Sequence, residues 1–527
     1  MSDPIDISAE LLAGSEAVIL PPDSNHAVAK IKLSLPGRGQ SIADFAHKLG
    51  SIMATGNFFI RGGLIVYVTE KQKLSDPVSP QALRTLAARF CDFPEFVKGI
   101  NGDPVERNSN MTSDNANAVM ASTDFLDRFR EITRVSEVRL PIIRSNGVLE
   151  LLPEGYDEET KVYSFGGVSY AEDMTLEAAH VVLDGLRSEF PWNVDSSGCL
   201  GLSRSRCLAA MLAPFLDQNF MGKLRPAFLF SANTEGAGKT LLVKLCLTPV
   251  FGETSACTYP DGRGDEMRKL LDAEVLGASP YLLLDNVKGK MNSSALESFL
   301  TETSHKGRIL GQSKSFNLKK DCVVYISAND AKPTADLLRR SVRLELFVKT
   351  ADPASRTIKD FLDEPKILSR RSEILAALWA VCREWDKSGQ KTCSGILNGF
   401  EDWSRIVGGM VEFFDGKNIF LRDVASTDPI YADFLTWIES LCPSPDSPLR
   451  IEQGDVRIQW FTLGLFPEVI TADEADPNLE SKQVTSQTNR ASALMRRYDD
   501  RIFGNRLFKM DKKSRPRSVV VSVVGTS

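Results

Sequence analysis

Residues Ala227-Phe-Leu-Phe-Ser-Ala-Asn-Thr-Glu-Gly-Ala-Gly-Lys-Thr240 settle how the rest of the chain is read. The apolar run behind Pro226 predicts a buried strand, and Leu241 to Leu247 predicts a helix. A glycine-containing loop ending in Lys-Thr joins them, which is the arrangement of a phosphate-binding loop. Backbone N–H groups of such a loop face phosphate oxygens at a helix N-terminus, where the peptide dipoles favour negative charge. Lys239 is then the side chain for the β- and γ-phosphates, and the Thr240 hydroxyl is a ligand for Mg2+. The nucleotide-contacting stretch is Asn233, Thr234, Glu235, Gly236, Ala237, Gly238, Lys239, Thr240 and Leu241. Asn233 stands where the pattern has glycine, and asparagine is the non-glycine residue most at ease in the left-handed conformation, so the turn survives. The cofactors implied are ATP and Mg2+.

Working outward, Tyr281-Leu-Leu-Leu-Asp-Asn286 is a second apolar strand ending in an acid, about 45 residues further on. It places Asp285 as the partner of Thr240 around the metal. The glutamate that usually follows, and polarises the attacking water, is Asn286 here. Glu266, in Asp265-Glu-Met-Arg-Lys269, is the candidate replacement, weighed against an ordinary solvated helix start. A third strand, Val323-Val-Tyr-Ile-Ser-Ala-Asn-Asp330, ends in Asn329, at the place of a sensor that orients water between Asp285 and the γ-phosphate. Arg339 and Arg340 close a helix before the last strand of the region, Val342 to Leu346. Strands alternating with helices from about 199 to 346 predict an α/β fold with a parallel sheet.

The totals bound the answer. The 527 residues, 43% hydrophobic and 25% charged, have the balance of an ordinary globular chain of several domains. A net charge of −6 means that any surface for nucleic acid must be local. The nine cysteines form no C-x-x-C pair, which argues against a disulfide framework or a zinc site. No apolar run reaches the ~18 residues of a membrane span, and the acidic start carries no apolar signal segment, so a cytoplasmic protein without a membrane partner is expected. Asn57 to Val68 predicts a hairpin turning at Gly62-Gly63, Asn101 to Asp124 a loop, and Ile367 to Trp385 a long amphipathic helix.

The spacing of Lys239-Thr240, Asp285, Asn329 and Arg339-Arg340 resembles the helicase half of phage, plasmid and island-encoded primase-helicases, which are AAA+ proteins related to superfamily-3 helicases. Lys306-Gly-Arg-Ile-Leu-Gly-Gln-Ser-Lys-Ser-Phe-Asn-Leu-Lys-Lys320 resembles that family's arginine-plus-Leu-Gly stretch. Leu140-Pro-Ile-Ile and Gly155-Tyr-Asp-Glu-Glu-Thr160 are similar to its lead into the ATPase. The resemblance covers about 138–350. It implies an AAA+ P-loop parallel sheet core over 196–350, a homo-hexameric ring on one DNA strand, a hairpin before Asn329 that enters the channel, and a finger from Arg339 and Arg340 into the neighbouring subunit. A primase or replication-initiation partner is a further expectation, although no primase motif is visible. Around this core lie a mixed α+β domain over 1–120, a connecting region over 121–195, a helical lid over 351–445 and a winged-helix-like basic module over 446–527.

Two basic surfaces are candidates for DNA. In the hairpin they are Arg308, Lys314, Lys319 and Lys320, with Phe316 for bases. The tail from Gln483 holds ten Lys/Arg against three acids. Arg490, Arg496 and Arg497 fall on its helix, and Lys512, Lys513, Arg515 and Arg517 on the turn between two strands, a pattern suited to a phosphate backbone. The expected function is an ATP-dependent DNA helicase of a mobile element. The alternatives are a DNA-binding initiator or loader with slow turnover, and a remodeller of protein complexes.

Overall fold

Apolar runs rich in Phe, Leu, Val and Ile are buried on both faces where helices cover both sides of a sheet. The sheet here has five strands: β1 (Ala227–Ala232), β2 (Cys257–Thr258), β3 (Tyr281–Met291), β4 (Val323–Pro333) and β5 (Ser341–Leu346). Of these, β2 is a two-residue, partly exposed edge strand and the others carry the apolar runs. In this computed structural model they run parallel in the order β2-β3-β4-β1-β5, which fits the P-loop core expected from the sequence. The residues described are 30–37, 40–98, 100, 103–192, 202–232, 234, 236–260, 264–308, 315–320, 322–348, 362–420, 437–438, 440–441, 447–462, 492, 495, 501–503, 506–511, 514–515 and 517–523. They divide into two units, Met1–Phe420 and Leu421–Ser527.

Alternation along the strands separates two cores. Phe228 and Phe230 of β1 join Tyr325 and Leu344 in one, while Ala227 and Leu229 join Leu284 and Ile326 in the other. The first is covered by α1 (Leu202–Phe215) and α2 (Lys239–Phe251), both buried around most of their circumference. The second is covered by α3 (Gly264–Leu276) and α4 (Ser294–Thr301), through Met267, Leu271, Val275, Leu296, Phe299 and Leu300. After β5 the expected long helix breaks at Arg370 into Glu364–Ser369 and a second helix, Arg371–Lys387. Its Leu375, Leu378 and Trp385 complete the first core, and an ion pair from Lys244 of α2 to Glu364 holds the shorter helix.

The N-terminal part has its own core of Phe45, Leu49, Phe58, Leu83, Phe93 and Phe125. Its helices start on hydroxyl caps: Ser41 accepts from Asp44 N–H, and Ser79 accepts from Ala82 N–H ahead of Pro80. The expected hairpin forms as Phe58–Arg61 and Leu64–Tyr67, turning at Gly62 and Gly63 with φ of 57° and 78°. The stretch read as a loop, Asn101 to Asp124, instead contains a strand, Pro104–Ser109, and a helix, Ser113–Met120. The strand is exposed along nearly its whole length and the helix buries only Ala116 and Val119, so neither shows a hydrophobic period.

This part docks beside the five-stranded sheet through the hairpin. Arg61 donates to the carbonyls of Val275 (2.9 Å) and Leu276 (3.3 Å), a cation where the C-terminus of α3 leaves its oxygens unsatisfied. Gly62 lies against Leu318, whose Cδ2 would stand 1.9 Å from a Cβ at this position.

The second unit is a four-stranded antiparallel sheet in the order Leu449–Glu452, Ser518–Val523, Arg506–Asp511, Arg501–Phe503. Trp437, Trp460, Phe508, Val519 and Val521 form its core with the helix Gln453–Thr462. The two expected strands are present, and the sequence reading missed the strands at 449–452 and 501–503. Among the described residues no helix is long and apolar enough to cross a membrane.

Candidate nucleotide site and nucleic-acid face

The carboxyl ends of β1, β3 and β4 meet at one edge of the sheet, and the loop after β1 leads straight into α2. Gly236 and Gly238 have φ of 75° and 94°, which a side chain resists, and Gly238 is the N-cap of α2. Lys239, the first helical residue, is buried, whereas the neighbouring Thr240 is exposed. Thr234, Ala237 and Leu241 flank them; Asn233 and Glu235 lie outside the described residues.

Across the edge, Thr240 Oγ1 stands 3.4 Å from both carboxylate oxygens of Asp285. That separation is longer than a strong O–H···O bond. It approaches the ~2.9 Å edge between neighbouring ligands of a cation held at ~2.0–2.1 Å. The two side chains therefore suit a shared Mg2+.

The register between β3 and β4 slips between Leu284 and Val287, so the strand bulges at Asp285 and Asn286. Asn286 sits at φ 55°, and its N–H donates to Asp285 Oδ1 at 2.8 Å. Its side-chain oxygen accepts from Asn329 Nδ2 at 2.7 Å. Asn329 Oδ1 is buried without a hydrogen-bond partner among the described residues. Asp285, Asn286 and Asn329 are thus brought together with Thr240, and only the left-handed turn at Asn286 was invisible in the motif.

Other expected residues separate. Glu266 is exposed in the first turn of α3 and pairs with Lys269 at 2.7 Å, the arrangement of a solvated helix start. The two arginines part at the end of α5 (Ala335–Arg339). Arg339 is 71% exposed and paired with Asp336. Arg340 turns inward, with Nη1 donating to the Glu297 carbonyl at 3.3 Å and an ion pair to Asp336 at 3.8 Å.

The expected hairpin precedes β4 as Ser304–Arg308 paired with Ser315–Lys319. Period-two alternation sorts its residues. Phe316 and Leu318 are buried in the second core, and Phe316 lies 6.0 Å from the His305 ring. Phe316 therefore does not face bases, contrary to the expectation. Lys320, just past the strand, is buried: its Nζ donates to the Phe299 carbonyl at 2.6 Å and lies 5.0 Å over the Phe299 ring. Burial, with Arg225 nearby, pushes its pKa down to about 7, so it too leaves the set of phosphate contacts. The outward face is Ser304, Lys306, Arg308, Ser315, Asn317 and Lys319: three cations and no acid. Lys306 was missed in the sequence, although alternation from Arg308 would have found it. On the inward side, His305 Nε2 contacts Asp272 Oδ1 of α3 at 2.6 Å. Lys314 lies outside the described residues.

In the second unit Arg515 and Arg517 are exposed on the turn after Asp511, a turn fastened by Ser514 N–H on Asp511 Oδ1 at 3.2 Å. Arg490, Arg496, Arg497, Lys512 and Lys513 lie outside the described residues.

No family model matches this chain, and no curated protein matches it. Among solved structures it is similar to the apo A form of the NrS-1 C-terminal region, with 14% identity and a TM-score of 0.30, over 86% of this chain and 100% of that one. It is also similar to JCV helicase, with 14% identity and a TM-score of 0.26, over 50% of this chain and 64% of that one. For JCV helicase with a thiazolopyridine compound bound, the identity is 12% and the TM-score 0.23, over 47% of this chain and 74% of that one.

Proposed function

We propose that this chain is an AAA+ ATPase that moves along DNA as a helicase of a mobile element, working as a hexameric ring. The observation that carries the reading is the meeting of two distant motifs: the Thr240 hydroxyl, after a left-handed glycine turn, faces the Asp285 carboxylate from another strand. Lys239 and the N-terminus of α2 would hold the phosphates of ATP. Thr240 and Asp285 would hold Mg2+, which would offset the negative charge of the phosphates. The acid-free hairpin face with Lys306, Arg308 and Lys319 supports DNA as the track, since one-signed cations on a ridge suit a phosphate backbone. Arg339, exposed at the end of α5, is the residue proposed to reach the next subunit; Arg340 is held by its own chain.

ATP turnover with and without single-stranded DNA tests this: stimulation by DNA is expected, and turnover indifferent to DNA would contradict it. Mixing Arg339→Ala with Lys239→Ala subunits should restore part of the activity if the finger acts across subunits. No rescue in subunits shown to mix returns Arg339 to its own chain. One observation favours a second reading, an initiator or loader with slow turnover: an amide, which cannot take a proton from water, occupies the position of the usual base.

A further inference from the structure

Asn286 is a poor substitute for glutamate if its task is proton abstraction, but its surroundings describe another task. Three features converge on it. Its backbone occupies the left-handed region at the bulge of β3, where asparagine is tolerated far better than longer or branched residues. Its N–H fixes Oδ1 of Asp285, whose carboxylate faces Thr240. Its side-chain oxygen accepts a hydrogen bond from Asn329 Nδ2 at 2.7 Å. Among the described residues Asn286 is the side chain that anchors the Asn329 amide, whose own oxygen is buried with no hydrogen-bond partner among them.

We propose that Asn286 is a positioning residue: its bulge N–H aims Asp285 at the metal position, and its side-chain oxygen holds Asn329 in place for the γ-phosphate end. This rests on the ATPase reading above. The position then works by orienting its two neighbours instead of by taking a proton. The left-handed backbone also explains why asparagine stands there: glutamate at φ 55° would be strained, and Asn329 would lose its fitted acceptor.

Substitutions separate the two roles. Asn286→Gly accepts positive φ and keeps the N–H to Asp285, but removes the oxygen that holds Asn329. It should keep Mg2+-dependent binding of an ATP analogue near the wild-type affinity while kcat falls about 10–100-fold. Asn286→Val disfavours the bulge itself and should lose the Mg2+-dependent part of the affinity as well. In a double-mutant cycle with Asn329→Ala, Asn286→Gly should add little further loss, because both remove the same hydrogen bond. Wild-type kcat in Asn286→Gly, or full additivity in the cycle, overturns the assignment provided that Lys239→Ala is inactive. Wild-type turnover in Lys239→Ala would instead overturn the ATPase reading on which it rests.

Discussion

The edge of the sheet around Lys239 and the hairpin at 304–319 both place polar residues beside apolar strands, but they control them differently. At the sheet edge, backbone conformation decides: Gly238 at φ 94° and Asn286 at 55° set where Thr240, Asp285 and Asn329 stand. In the hairpin, facing decides: Lys319 is exposed while Phe316 and Lys320 are buried. Neighbours in sequence therefore share a task at the edge and have opposite tasks in the hairpin. Adjacency in sequence does not sort the hairpin residues, whereas alternation between its faces does.

The largest effect should come at the edge. Lys239→Ala is expected to lower ATP turnover roughly 10²–10³-fold. Thermal melts should show the fold intact, and retained turnover would erase the contrast between the two regions. The hairpin should answer in stability. Phe316→Ala is expected to lose about 3–5 kcal/mol in denaturant unfolding, as for an aromatic truncated in a core. Joint replacement of Lys306, Arg308 and Lys319 by Ala should change stability by about 1 kcal/mol or less. If the exposed set destabilised as much as Phe316, the division into two faces would be wrong.

A third, pH-dependent effect sharpens the same division. Lys320 binds a proton up to its ordinary 10.5 when unfolded but only below about 7 when folded. Between those values the unfolded chain binds more protons, so stability rises with pH, and the penalty is complete below pH 7. Lys320→Met should therefore gain most over wild type below pH 7 and lose that advantage toward pH 10. An advantage constant across this range would remove the buried cation from the account. The smallest effect concerns the surface: each single replacement of Lys306, Arg308 or Lys319 by Ala should flatten the salt dependence of single-strand binding by ~0.7 in log–log slope, one phosphate fewer being neutralised. An unchanged slope would take the hairpin out of DNA binding.

Much of the core was legible. Lys239-Thr240 and the acid at 285 are short-range signals, and the strands around them are buried on both faces, so their apolar runs stand out. The turn at Asn286 was not legible, because a left-handed backbone depends on how β3 slips against β4. Arg61 carries no local mark of its role, since its partners at 275 and 276 are more than 200 residues away. The strand at 104–109 was missed because a polar edge strand has no buried side to alternate with.

Unwinding of a forked duplex by the full chain with ATP and Mg2+ tests the central claim most directly. The account predicts ATP-dependent strand separation that is abolished in Lys239→Ala and strongly reduced in the Lys306, Arg308 and Lys319 triple alanine variant, whose basal ATP turnover is retained. Brisk ATP hydrolysis with no separation of the strands, or separation undiminished in the triple variant, would contradict it.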